Sequence, residues 1–243
     1  MDPILIPNVS IDCVVFGFDM QDLKVLLVDR DIEHNGVLHH DRKLPGDLIR
    51  KDEELDSAAC RILHDLSGLQ NLYLNQFGSF GGVNRLKSKE RDLIWLKQID
   101  HPEERVITIA YYTLINLTSA KEEYILRSNA KWTSLDSLGE LVFDHAEIIT
   151  KAYSMMKQNF KVNPIAFELL PDKFTLSQLQ KIYEVVLKTQ YDKRNFRKKI
   201  SQISCIVPIN EKQTNVAHKP ARLYMFSKDI YEKTRKDNFD FTV

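Results

Sequence analysis

The chain has 243 residues, enough for one large or two modest domains, and its 43% hydrophobic content is sufficient for well-packed cores. Its 34 basic and 34 acidic residues cancel, so average charge neither favours nor excludes a polyanionic partner and only the distribution carries information. Three cysteines, Cys13, Cys60 and Cys205, lie far apart in apolar contexts without a CxxC pair, which excludes a zinc-binding spacing and predicts buried free thiols.

The first eighteen residues are apolar but lack a basic start, are broken by Pro3 and Pro7 and contain Asp12, so they do not form a secretory signal. No segment approaches the roughly 20 apolar residues that span a bilayer. A soluble, cytoplasmic protein without membrane association is expected.

Residues 10–18 and 23–29 are rich in Val, Leu and Ile around the polar stretch 19–22 and predict a β-hairpin. The stretch 44–69 reads LPGDLIRKDEELDSAACRILHDLSGL, and its second half places Leu55, Ala58, Ala59, Ile62, Leu63 and Leu66 at helical spacing. Residues 75–80 and 106–115 predict strands, with loop between them over 81–104. Residues 130–135 predict another strand. It leads through Leu141-Val142-Phe143-Asp144-His145 into a helix with Asp144 as N-cap and Ile148, Ile149, Ala152, Met155 and Met156 on one stripe. Asn163-Pro164 and Pro171 mark an ordered connector, which puts the domain boundary near Asn163 and gives domains 1–162 and 163–243.

Beyond it, Thr175-Leu176-Ser177-Gln178 forms a capping box before a stripe of Leu176, Leu179, Ile182, Tyr183, Val186 and Leu187. Asp192 caps a second helix, KRNFRKKISQI, whose buried stripe is Phe196, Ile200 and Ile203. A short strand over 205–207, a polar loop over 208–220 and a strand over 221–226 follow. Helix, turn, basic helix and hairpin is the order of a winged helix-turn-helix, in which the second helix enters the major groove and the hairpin touches flanking backbone.

Between Lys188 and Arg222 nine basic residues face two acidic ones, although the whole chain is neutral. Basic residues on a helix are often only a solvated face, but these fall where recognition would occur and recur on the hairpin. Lys193, Arg194, Asn195, Arg197, Lys198, Lys199, Lys212, Lys219 and Arg222 are therefore the candidate DNA-binding residues. Arg suits guanine, Asn suits adenine, and Lys mainly neutralises phosphate.

The stretch 44–69 resembles a Nudix box. Gly46, Glu53, Arg61 and Gly68 keep its frame, while Ile62 and Leu66 stand where metal-binding glutamates would be and Asp65 retains one carboxylate. Six residues separate Gly46 from Glu53 where the family usually has five, so either the loop is one residue longer or Asp52 takes the acidic place. An ordinary amphipathic surface helix has the same apolar spacing. Hard divalent cations require several oxygen ligands, and this set predicts a protein without hydrolase activity, resident metal or cofactor.

With the C-terminal segments Ile165-Ala166-Phe167-Glu168-Leu169-Leu170-Pro171, Asn195-Phe196-Arg197-Lys198-Lys199 and Lys219-Pro220-Ala221-Arg222-Leu223-Tyr224, nearly the whole chain resembles the Nudix-related transcriptional regulators of bacteria. The resemblance implies an α+β protein, a Nudix-like α/β/α sandwich followed by a winged helix-turn-helix. It further implies a homodimer on a double-stranded operator, answering to ADP-ribose or to a sugar. Overall likeness is greatest to the arabinose-responsive branch, which implies a repressor of L-arabinose utilisation genes, with ADP-ribose and NAD metabolism as the alternative. Asp12, Lys43, Asp47, Asn84 and Tyr112 flank the strands and box loop of such a cleft and are the candidate effector-binding residues. Two rivals from other classes are an active Nudix pyrophosphatase with a C-terminal binding module and a non-enzymatic protein whose basic face docks acidic partners.

Overall fold

The computed structural model describes residues 5–34, 36–86, 105–118, 127, 129–214 and 219–234. The chain divides into two compact units. One comprises Met1–Gly17, Lys24–Leu114 and Ala120–Tyr153, the other Phe18–Leu23, Ile115–Ser119 and Ser154–Val243.

A seven-stranded sheet is built from β1 (Leu5–Phe18), β2 (Leu23–His34), β3 (Val37–Lys43), β4 (Gly46–Arg50), β5 (Asn75–Phe80), β6 (Ile107–Asn116) and β7 (Ala130–Ser134). Its order is β3-β2-β1-β6-β5, with β4 on β1 and β7 on β2. Strand β1 is covered on both faces, since Ile11, Cys13, Val14, Val15, Phe16 and Phe18 are all buried. That explains its nearly continuous apolar run. Between β1 and β2 the Asp19 carboxylate accepts from Gln21 N and Asp22 N at 3.0 and 2.9 Å, an Asx turn.

Two strands are not apparent in the sequence. β3 reads VLHHDRK and β4 is five residues long, so propensity and alternation are both weak, and pairing holds them. β2 continues to His34 because β3 pairs with it from Val28↔Lys43 to His34↔Val37. β4 pairs antiparallel with β1 in the register Asp12↔Gly46, which is what brings the box loop to Asp12.

Helix α1 (Leu55–Ser67) buries Ala58, Ala59, Ile62, Leu63 and Ser67 and ends at Gly68, whose φ of 84° lets its N–H close on His64 O at 2.8 Å. Leu55 and Leu66 are only half-buried. Cys13 and Cys205 are buried thiols, but Cys60 is exposed, against expectation. It shares the outer face of α1 with Asp56 and His64 at a spacing of four. Helix α2 (His145–Val162) buries Ile148, Ile149, Ala152 and Met156, whereas Met155, expected on the same stripe, is 37% exposed.

By compactness the division between the two units falls within α2, between Tyr153 and Ser154. The end of α2 belongs to the second unit, where Phe160 meets Tyr183 with ring centroids 5.7 Å apart. That unit continues through a 3-10 turn (Ile165–Leu169) to α3 (Leu176–Leu187), α4 (Lys193–Ile200), β8 (Ile206–Lys212), β9 (Arg222–Phe226) and α5 (Lys228–Thr234). β8 and β9 form an antiparallel hairpin, and Phe174 adds a bridge to Tyr224. β8 extends five residues beyond the strand expected over 205–207, because its polar end is paired through Lys212↔Arg222. Phe167 stacks on Phe226 at 4.4 Å and ties the connector to the hairpin. Among the described residues no helix is long and apolar enough to cross a membrane.

Candidate functional site

In the first unit, Asp12, Arg85, Asp144 and His145 form a buried charged cluster beside a small cavity of about 30 Å³. The Arg85 guanidinium donates from Nε and an Nη to the two Asp144 oxygens at 2.8 Å each, and lies 3.5 Å from Asp12 Oδ2. Leu44 N donates to His145 Nδ1 at 3.0 Å, which places the ring proton on Nε2, 3.4 Å from Asp12 Oδ1. Burial pushes the Asp12 carboxyl up, but the His145 ring and the Arg85 guanidinium outweigh it and hold it at about 2, below the ordinary 3.8. The carboxylate is ionised in a place only 5% exposed.

The box glycine is explained by the same carboxylate. A Cβ on Gly46 would collide with Asp12 Oδ1 and lie 2.8 Å from Ile11 O. Lys43 donates from Nζ to Gly46 O at 2.6 Å. Burial pushes its ammonium down, and Asp47 and Asp12 offset only part of this.

Of the expected effector residues, Asp12, Lys43 and Asp47 come together at the cavity. Asn84 is exposed in the turn beside Arg85, and Tyr112 is buried on β6 with its ring 5.9 Å from Phe77. Neither lines the cavity among the described residues. Arg85, Phe143 and His145 line it instead. Nothing in the sequence marks Arg85, which lies in an unpatterned loop. Phe143, Asp144 and His145 are legible only as a helix start, and the expected cap Asp144 spends its carboxylate on Arg85.

Of the two acidic candidates in this stretch, Glu53 and not Asp52 is bound to Arg61. Its carboxylate accepts from Arg50 N at 2.7 Å and from Arg61 Nε at 2.8 Å, with a further bond to an Arg61 Nη, while Asp52 is exposed. The hydrogen bonds from Arg61, together with that from Arg50 N, hold its pKa below the ordinary value. On α1, Ile62 is buried in the core, Leu66 is half-buried and Asp65 is exposed. A hard cation at this position would find the Glu53 carboxylate bound to Arg61, the exposed Asp65 carboxylate 3.9 Å from the same guanidinium, and two hydrocarbon side chains. The donor set does not fit it. No group of three or more potential metal ligands occurs among the described residues.

In the second unit, Thr175 accepts from Gln178 N, and Gln178 Oε1 accepts from Thr175 N at 2.8 Å, the reciprocal capping box expected. The turn after α3 is held by Gln180, which donates to Tyr191 O at 2.9 Å, and by Tyr191 N, which donates to Glu184 Oε1 at 3.1 Å. Asp192 then accepts from Arg194 N and Asn195 N at 3.1 and 2.9 Å and starts α4. Phe196 and Ile200 anchor the helix inward, Phe196 against Tyr183 and Tyr191 at 6.0 and 5.8 Å. Lys193, Arg194, Asn195, Arg197, Lys198 and Lys199 are consequently all exposed.

The hairpin adds Lys212, Lys219 and Arg222, all exposed. Lys212 and Arg222 stand directly opposite each other in the ladder, where like charges are unfavourable. The only acidic side chain on β8, Glu211, is engaged by Lys173 at 2.7 Å. Helix face and hairpin tip together present the positive, hydrogen-bond-donating surface that duplex DNA requires.

Residues 166–226 match the NrtR DNA-binding winged helix domain. The chain is 26% identical over 230 residues to the ADPR responsive transcriptional repressor NtrR of Acinetobacter baylyi, covering 93% of this chain and 84% of that protein. It superposes on Shewanella oneidensis NrtR complexed with a 27mer DNA with a TM-score of 0.71 and 26% identity, covering 92% of this chain and 95% of that one. A MutT/nudix family protein from Enterococcus faecalis shares the fold, with a TM-score of 0.64 and 20% identity over 93% of this chain and 89% of that one. Along nearly its whole length the chain is thus similar to Nudix-related transcriptional regulators, with a Nudix-like α/β unit followed by a winged helix domain.

Proposed function

We propose that the protein is a DNA-binding transcriptional repressor of the NrtR kind, acting as a homodimer on a two-half-site operator, with ADP-ribose as its effector. The observation that carries this is the winged helix with its exposed basic helix, in a chain related over 93% of its length to a repressor named for its response to ADP-ribose. The Nudix-like unit is a sensor rather than a hydrolase, a reading supported by the aliphatic side chains at 62 and 66 and by Glu53 being bound to Arg61.

Helix α2 supplies the coupling. It starts at Asp144 and His145, inside the charged cluster, and its last turns carry Phe160 in the core of the second unit. An effector that enters the cleft must displace or bridge this cluster, since about 30 Å³ is room for little more than water. Movement of the start of α2 then changes the spacing of two recognition helices, which must sit about 34 Å apart. For derepression the effector must bind the non-operator conformation more tightly.

A second reading, L-arabinose as effector, is favoured by one local observation. Both oxygens of Asp144 and one of Asp12 already face Arg85, so this strongest cation of the cleft is committed to carboxylates. Carboxylates backed by an apolar ring suit neutral hydroxyls. One experiment separates the readings. Labelled operator, selected from a random duplex pool, is followed by fluorescence anisotropy while ADP-ribose or L-arabinose is titrated in. Release by ADP-ribose alone supports the first reading and release by arabinose alone the second. Unchanged operator affinity with both rejects the sensor.

A further inference from the structure

Arg30 lies on β2 directly across from Asp41 on β3, two residues along the same strand from Lys43 at the cavity wall. One Nη donates to Asp41 Oδ2 at 3.3 Å, and Cζ lies 5.4 Å above the Phe143 ring. Its Nε and its other Nη are buried and donate to no partner among the described residues. A buried guanidinium with two of three nitrogens unsatisfied is unfavourable, and such groups are seldom retained without use.

A second unfavourable feature lies against the first. Phe143 has a φ of 52°, a left-handed conformation that a bulky L-residue adopts only under constraint. The constraint is visible: Val142 N donates to Arg42 O at 3.2 Å, which pins this segment to β3, and His145 stands edge-on to the ring at 5.3 Å. The ring that carries the guanidinium over its face is also one that lines the cavity. Unlike Arg85, Arg30 meets one carboxylate among the described residues and keeps donor capacity to spare.

We propose that Arg30 is an effector-binding residue whose unsatisfied guanidinium nitrogens take a phosphoryl oxygen of the ligand once Phe143 swings aside. The assignment rests on the Nudix-like unit being the sensor, and deepens that reading by giving the ligand an anionic phosphoryl group. Guanidinium suits such a group through its planar array of donors, which an ammonium cannot reproduce. It also supplies the diphosphate grip that Arg85, committed to two carboxylates, does not.

The test is calorimetric titration of wild type and Arg30→Lys with ADP-ribose, ribose 5-phosphate and L-arabinose, beside thermal melting and operator binding without effector. Lysine keeps the ion pair with Asp41, so the variant should melt near wild type and bind operator equally. Its Kd for ADP-ribose should rise roughly ten- to hundredfold, with a parallel loss for ribose 5-phosphate. A folded Arg30→Lys that binds ADP-ribose as wild type does overturns the proposal while leaving the sensor intact. Wild type that binds arabinose and no phosphorylated ligand overturns the phosphoryl assignment. Should Arg30→Lys melt far below wild type, Asp41→Asn serves as the second variant: it removes the ion pair but leaves Arg30 in place. Retained ADP-ribose affinity in Asp41→Asn supports the proposal, and loss equal to that of Arg30→Lys shows a purely structural pair and overturns it.

Discussion

In the Nudix-like unit Asp12, Arg85, Asp144 and His145 are buried and bonded to one another, whereas on α4 and the hairpin the basic side chains stand in solvent over a small apolar anchor of Phe196 and Ile200. The difference is one of dielectric. Buried charges interact strongly and must be satisfied internally, so removing one partner alone is costly and a ligand can act by rearranging them. Exposed charges cost little to keep and contribute little to stability, which leaves them available to a polyanion. Substitutions should therefore split cleanly between stability in the first unit and DNA affinity in the second.

The largest effect is expected from Arg85→Ala, which leaves the Asp12 and Asp144 carboxylates buried without their cation. Removing one partner of a buried pair costs about 3–5 kcal/mol, and chemical denaturation should show a loss of that size. A loss under about 1 kcal/mol would show that the cluster is not structurally tight. Arg197→Ala should do the reverse: operator affinity falls by about 1–3 kcal/mol, read by anisotropy at fixed salt, with an unchanged melting temperature and effector affinity.

Asp192→Ala tests whether α4 must be preformed. Loss of an N-cap costs about 1 kcal/mol, and operator affinity should weaken although no DNA-facing side chain is altered. Lys212→Ala should reduce the slope of log Kd against log salt by about 1. Because it also removes the opposition with Arg222, it should leave the fold as stable or slightly more so.

A further effect is one of pH. The Asp12 carboxyl falls from 3.8 in the unfolded chain to about 2 in the fold, so the unfolded state binds more protons between these values. Its contribution is complete above pH 4 and is lost as pH falls from about 4 to about 2. The stability difference between wild type and Asp12→Asn should be flat from pH 5 to 8 and shrink below pH 4. A difference that changes near neutrality would place the titration on another group.

The DNA-binding half is legible in the sequence because its determinants are local. Thr175 and Asp192 cap as their spacing predicts, and Phe196 and Ile200 fix which side of α4 is wet. The charged cavity of the first unit is legible only in part. Asp12, Lys43 and Asp47 can be picked out beside the box, but Arg85 comes from an unpatterned turn and Arg30 from a strand whose length depends on β3.

Period, caps and charge distribution by themselves determined the two-part order of elements and the exposed basic helix at 193–200. Only the tertiary structure decided that Glu53 is the acidic residue bound to Arg61, that Cys60 faces outward, and that residues 12, 85, 144 and 145 converge. Those outcomes depend on strand register and on contacts between residues as much as 133 positions apart, as in Asp12 and His145. No local pattern encodes such distances, because what selects them is the cost of leaving a buried charge without its partner.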